Sequence, residues 1–198
     1  GGEEDGDKIK IVTTLFPQYD FARQVAGDRA EVNLLLPPGI ESHSYDPTPA
    51  DVVAINKADL FIYTGEYMEP WAQTIIDGLD GEDVEVLDVS QGISLDKDDE
   101  DHDEEIHEDV HEHAYNPHIW TNPRLAEKMV ENIENALCAL DPQGEELYRA
   151  NGEAYRGELE ELDADIREML TGAKRREIVF GGRFAFHYFV EEYGIAYM

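Results

Sequence analysis

Val32-Asn33-Leu34-Leu35-Leu36-Pro37-Pro38-Gly39-Ile40-Glu41-Ser42-His43-Ser44-Tyr45-Asp46-Pro47-Thr48-Pro49 runs from an apolar stretch, through a proline-bounded loop, into a helix start. Residues 32–36 read as a strand, and Pro37-Pro38-Gly39 closes it. Thr48 reads as a helix N-cap with Pro49 at the first helical position, where a missing amide hydrogen costs nothing. Strand, loop and capped helix make half of a parallel-sheet unit. The flanking sequence repeats the pattern.

Upstream, residues 8–16 are rich in β-formers and stop at Pro17, and a helix is expected from there to Ala26, ended by Gly27. Downstream, 58–64 and 84–89 read as strands with a helix over 69–79 between them. Pro123 opens a helix to about Leu140, ended by Asp141-Pro142. A second long helix is expected over 143–170, with Leu147, Tyr155, Leu159, Leu162, Ile166 and Leu170 on one face. Residues 177–182 read as a strand, 183–192 as a helix and 195–198 as the start of another strand. Short apolar runs separated by helices predict an α/β fold, with a parallel sheet flanked by helices on both faces. The last elements read as a second lobe cut short, and residues 1–8 as a flexible tether.

Two histidine motifs flank a charged run. His43 lies in the loop quoted above, and His118 in Asn116-Pro117-His118-Ile119-Trp120-Thr121-Asn122-Pro123. Between them, residues 96–113 carry His102, His107, His111 and His113 among eleven acidic side chains. That run has no hydrophobic period and too much charge to pack, so 96–115 is expected to be a mobile loop. Neutral imidazole and carboxylate are the ligands of zinc and manganese. In open parallel sheets ligands bind beyond the carboxyl ends of the strands. His43 follows the second strand and His118 the fourth, so both reach one crevice. Two ordinary loop histidines bonded to backbone are the plainer alternative.

The chain has 198 residues, 46 acids and 15 bases, a formal charge of -31. So few bases exclude nucleic acid as a partner and disfavour an anionic membrane surface. Surface acidity of this density suits a protein kept soluble in concentrated salt, and a halophilic source is the simplest account. The single cysteine, Cys138, excludes an internal disulfide and lies in an apolar helical stretch, where a thiol behaves as a small hydrophobe. No apolar stretch reaches the ~20 residues needed to cross a membrane as a helix.

Several segments together carry a resemblance: residues 13–17 (Thr-Thr-Leu-Phe-Pro), 43–49, 58–65 (Ala-Asp-Leu-Phe-Ile-Tyr-Thr-Gly), 116–120, and Tyr188-Phe189 through Tyr193-Gly194. The chain resembles, from Ile9 to Met198, the zinc- and manganese-binding solute-binding proteins of ABC importers, which are periplasmic proteins or surface lipoproteins. That resemblance implies two α/β lobes joined by a long helix, with metal held between them. The division would be a tether at 1–8, a first lobe at 9–142, a linking helix at 143–172 and the start of a second lobe at 173–198. His43 and His118 match the two ligands the family draws from its first lobe. The family's third ligand, histidine or glutamate, falls at Arg183, which cannot coordinate a cation. The fourth ligand, usually a carboxylate, falls beyond Met198. His187, one helical turn further on, is a candidate replacement, and Glu66 and Glu69, which follow the third strand, are candidate supporting carboxylates.

The function these readings favour is capture of a transition metal for a membrane permease of an ABC importer, by a monomer outside the cytoplasmic membrane and without catalytic turnover. Zinc leads because histidine-rich loops accompany the family's zinc-binding members, and His102, His107, His111 and His113 would collect metal for the cleft. Two histidines alone do not separate zinc from manganese or iron(II). An extracellular metal buffer or adhesin would use the same site. A zinc hydrolase would need three protein ligands, an open position and a general base, and no His-Glu-x-x-His motif is present.

Overall fold

The structure is a computed structural model that describes residues 8–79, 83–96, 115–173, 176–178 and 186–197. Strand β1 (Ile9–Thr13) is central, with β2 (Ala30–Leu34) on one side and β3 (Leu60–Tyr63) on the other; β4 (Glu85–Asp88) lies outside β3. All three pairings are parallel, in the order β2-β1-β3-β4. The chain leaves β1 toward one edge and then crosses back to build the other, so the carboxyl ends of β1 and β3 flank the switch point.

Register explains how one sheet serves two cores. Ile11 pairs with Leu60 and Thr13 with Ile62, while Val12 pairs with Phe61 one position out of phase. Successive side chains point to opposite faces. Ile11, Leu60, Ile62 and Leu87 therefore enter a core with α1 (Phe16–Ala26), α4 (Pro123–Leu140) and α5 (Glu145–Thr171). Val12 and Phe61 enter a second core with α2 (Pro49–Asn56) and α3 (Ala72–Asp77). The sheet is covered on both faces, as the runs of apolar residues predict.

Helix ends follow local chemistry. The Thr48 hydroxyl accepts from the Asp51 amide at 3.2 Å, and the Asp51 carboxylate accepts from the Thr48 amide at 2.8 Å, a reciprocal cap on α2. The Asn122 side chain caps α4 through the amides of Arg124 and Leu125. Gly27 ends α1 at φ 54°, a conformation that favours glycine.

Three elements depart from the sequence reading. The helix expected over 183–192 starts, among the described residues, at His187, with Phe186 non-helical ahead of it. Helix α3 begins at Ala72 rather than Glu69, because residues 65–69 wind into a turn that sends Glu69 into the core. On α5 the expected apolar face is partly wrong: Leu147 and Leu162 are exposed, whereas Tyr148, Gly152 and Leu159 are buried. Counting only apolar side chains overlooked Gly152, whose missing side chain admits Glu134 of α4.

Beyond α5, β5 (Glu177–Ile178) pairs in parallel with β6 (Ala196–Tyr197), and α6 (His187–Tyr193) joins them as the beginning of a second sheet. The end of α5 holds α6 in place: the Tyr193 hydroxyl donates to Asp163 at 2.8 Å, and Arg167 pairs with Glu192. Glu192 also accepts from Asn122 at 3.1 Å, which ties α6 to the start of α4. The acidic run with His102, His107, His111 and His113 lies outside the described residues, as does Arg183. No helix among the described residues is long and apolar enough to cross a membrane.

Candidate metal centre

The loops that leave the carboxyl ends of the four strands enclose a cleft of about 420 Å³. Leu15–Pro17 after β1 and residues 36–43 after β2 form most of its wall, with Met68 after β3 and His118 and Trp120 after β4 completing it. His43 and His118 are both half-buried and meet there, their ring centroids 6.1 Å apart. Imidazoles sharing one tetrahedral zinc, with bonds of about 2.0–2.1 Å, have centroids about 5 Å apart, so these rings stand within about 1 Å of that spacing.

The same local device sets both rings. The Glu41 carboxylate oxygen Oε1 accepts from the His43 backbone amide at 3.1 Å and also contacts its ring Nδ1. The Asn116 side-chain oxygen accepts from the His118 amide at 3.0 Å and lies 2.9 Å from its Nδ1. In each case the acceptor sits two residues before the histidine. A backbone amide only donates, so the atom it meets is an oxygen acceptor, and the ring Nδ1 facing that oxygen must carry the hydrogen. Both imidazoles are thereby fixed as the tautomer whose Nε2 bears the lone pair, the arrangement of metal-binding histidines backed by a carboxylate or carbonyl. Burial alone would raise the Glu41 pKa. The bonds from the His43 ring and amide and from Ser44 outweigh it and hold the carboxyl at about 2, so Glu41 is ionised at neutral pH.

A packed floor steadies the His43 loop. The Ser42 hydroxyl contacts the Met68 sulfur at 2.9 Å, and the Trp71 indole donates to the Ser42 carbonyl at 2.8 Å. Tyr45 sets its ring edge against Trp71 and donates its hydroxyl to Asp51 at 2.6 Å, which connects the loop to the cap of α2. Beneath this floor Glu69 is fully buried: its Oε1 lies 2.5 Å from the Thr14 hydroxyl and its Oε2 accepts from the Thr64 amide at 2.9 Å. Burial pushes the Glu69 carboxyl up to about 7 against the opposing pull of the bonds from Thr14, Thr64 and Gln18. The network joins the carboxyl ends of β1 and β3 to the start of α1.

On the other side, the Tyr188 hydroxyl of α6 donates to the Asn116 carbonyl at 2.6 Å and accepts from the Asp96 amide at 2.8 Å. The residue that orients His118 is thus braced by the second sheet's helix. His187 lies beside Asp96 and Glu191; these three form the one group of three potential ligands found within 4.8 Å among the described residues. Glu66 is exposed on the turn after β3 and does not line the cleft. Cys138 is buried, its thiol pushed up by burial, in keeping with a packing role.

Glu41 and Asn116 stand inside the two motifs, yet their roles were not read from sequence. The signal was available: each is an oxygen-bearing residue two positions before a histidine. Glu69 is expected from sequence as a supporting carboxylate near the crevice, and the fold buries it beneath the loop instead; Met68 and Trp71 carried no comparable signal.

A parallel-sheet lobe with paired histidines at its carboxyl edge, joined by a 27-residue helix to the start of a second parallel sheet, defines the two-lobed solute-binding class. The chain belongs to the ZnuA family, zinc-uptake complex component A periplasmic, whose family model matches residues 11–198. It is 37% identical over 199 residues to the high-affinity zinc uptake system protein ZnuA of Bacillus subtilis (strain 168), covering 98% of this chain and 61% of the relative. It is likewise 37% identical over 195 residues to the zinc-binding lipoprotein AdcA of Streptococcus pneumoniae (strain ATCC BAA-255 / R6), covering 98% of this chain and 38% of that protein. The crystal structure of Zn(II)-bound AdcA from Streptococcus pneumoniae superposes with a TM-score of 0.83 at 35% identity, over 96% of this chain and 38% of that one. The chain therefore spans between about two fifths and three fifths of the length of these relatives.

Proposed function

We propose that this chain is the metal-capturing part of an extracytoplasmic solute-binding protein that takes zinc as its cargo and passes it to the permease of an ABC importer. The observation that carries the reading is the matched clamping of His43 and His118, each held through Nδ1 so that Nε2 keeps the lone pair a metal would take. A scaffold that fixes both tautomers before metal arrives lowers the ordering cost of binding. Two nitrogen donors suit zinc without excluding manganese or iron(II). The choice of zinc rests on the zinc-uptake and zinc-binding relatives.

In this reading α5 is the link between lobes, and ligands from beyond the first lobe complete the coordination sphere. His102, His107, His111 and His113 collect metal weakly near the cleft, and the protein acts as a monomer that binds without turning over. Tethering outside the cytoplasmic membrane agrees with the lipoprotein relative.

The test is uptake. In cells whose own copy is deleted, the intact protein should restore growth under zinc chelation and stimulate the permease's ATPase when loaded with zinc. The His43→Ala/His118→Ala variant should do neither while remaining folded and exported. Restoration by that double variant would sink the proposal.

A further inference from the structure

We infer that Asp96, His187 and Glu191 form a second site for a divalent transition metal, separate from the His43–His118 pair. His187 Nε2 lies 3.2 Å from Asp96 Oδ2 and 3.5 Å from Glu191 Oε2, and all three ligand atoms fall within 4.8 Å of one another. A charge-assisted N–H···O bond draws in to about 2.7–2.9 Å. Both separations are longer than that. They match the ligand-to-ligand edge of a zinc tetrahedron, about 3.3 Å for bonds of about 2.0–2.1 Å.

The ligands come from two places that the fold locks together. Asp96 ends the segment after β4, and its backbone is held twice: its amide donates to the Tyr188 hydroxyl at 2.8 Å and its carbonyl accepts from the Asn116 amide at 2.8 Å. His187 and Glu191 stand one turn apart on α6, so they share a face. The His187 ring packs edge-on against Tyr188 with its side chain only 14% exposed, whereas both carboxylates are open to solvent. One braced imidazole and two adjustable carboxylates leave room for a water as the fourth ligand. The donor set suits zinc or a harder divalent ion such as manganese. With a formal charge of -31, the protein concentrates cations at such a surface site.

The experiment removes every other histidine ligand named above. The intact protein carrying His43→Ala, His118→Ala and alanine at His102, His107, His111 and His113 is equilibrated with zinc alone, and bound metal is counted after dialysis. One zinc per chain is expected in this background. Adding His187→Ala should weaken it at least tenfold, and Glu191→Gln or Asp96→Asn should weaken it less. Cobalt substitution of the six-alanine background supplies a readout that does not depend on the His187 variant folding: X-ray absorption should report a single imidazole among oxygen ligands. Absence of bound zinc in the background, an equivalent retained in a folded His187→Ala protein, or cobalt with no imidazole ligand would overturn the inference. Because the background lacks His43 and His118, failure here leaves the cargo site untouched, and failure of the cargo reading leaves this site untouched.

Discussion

At the scale of single residues, the proposed zinc site rests on two acceptors, each of which holds a histidine through its amide and ring Nδ1. Glu41 and Asn116 choose the tautomer and aim of His43 and His118, so removing either frees a ring that must then be ordered by the ion. Glu41→Ala and Asn116→Ala should each lower zinc affinity by roughly 10–100-fold, read by chelator competition, with circular dichroism unchanged. Asn116→Asp keeps the acceptor and should recover most of the loss. Affinities equal to wild type in both alanine variants would remove the clamp from the account. Glu69 gives a separate, pH-dependent prediction. Its folded pKa of about 7 lies above the ordinary glutamate value of 4.5, so the folded state holds the proton over a window where the unfolded state has lost it. The stabilisation is complete below about pH 4.5 and is lost as pH rises through about 7. Glu69→Gln, which keeps an acceptor oxygen for the Thr64 amide and cannot ionise, should flatten the stability profile between about pH 5 and 7 in urea titrations. Glu69→Ala strands the buried Thr14 hydroxyl and Thr64 amide and should cost about 2–4 kcal/mol.

At the scale of elements, strands were the most legible because their side-chain period is strict, and α2 and α4 were legible because Thr48-Pro49 and Asn122-Pro123 spell out their caps. The α4–α5 contact was not legible, since it turns on a glycine and a buried carboxylate. A Cβ on Gly152 would lie 2.2 Å from Glu134 Oε2, and Glu134 is almost fully buried between Arg149 and Arg156. Alanine in a helix interior ordinarily gains about 1 kcal/mol over glycine. Here the carboxylate must move off its arginine partners, which costs more than that gain when a charge is buried. Gly152→Ala should therefore destabilise the protein by about 1–3 kcal/mol in denaturant titration, and an equal or higher stability would show that Glu134 relocates freely. Leu162→Ala on the exposed side of the same helix should change stability by less than about 0.5 kcal/mol.

At the scale of the whole molecule, charge and topology act together. A formal charge of -31 on 198 residues sets the surface against itself, and salt screens such repulsion over about 10 Å at 0.1 M and about 3 Å at 1 M. Thermal midpoints should rise as sodium chloride is raised from about 0.1 M to about 1 M; a fall would mean that ion pairs such as Arg29–Asp141 outweigh the repulsion. The parallel order of the sheet was readable because each apolar run is followed by a helix, and that order brings His43 and His118 to one edge. The place of His187 was not readable: helical spacing puts it near Arg183 in sequence, but docking of α6 on the start of α4 sets it beside Asp96, ninety-one residues away. The most direct measurement is a competitive titration of zinc against manganese on the intact protein, with and without residues 97–113, and on His43→Ala and His118→Ala. The account predicts a tight zinc site at the cleft that survives deletion of the acidic run and is lost in either alanine variant, leaving only the weaker equivalent held by Asp96, His187 and Glu191. Tight binding that vanished with the run and persisted in both alanine variants would contradict it.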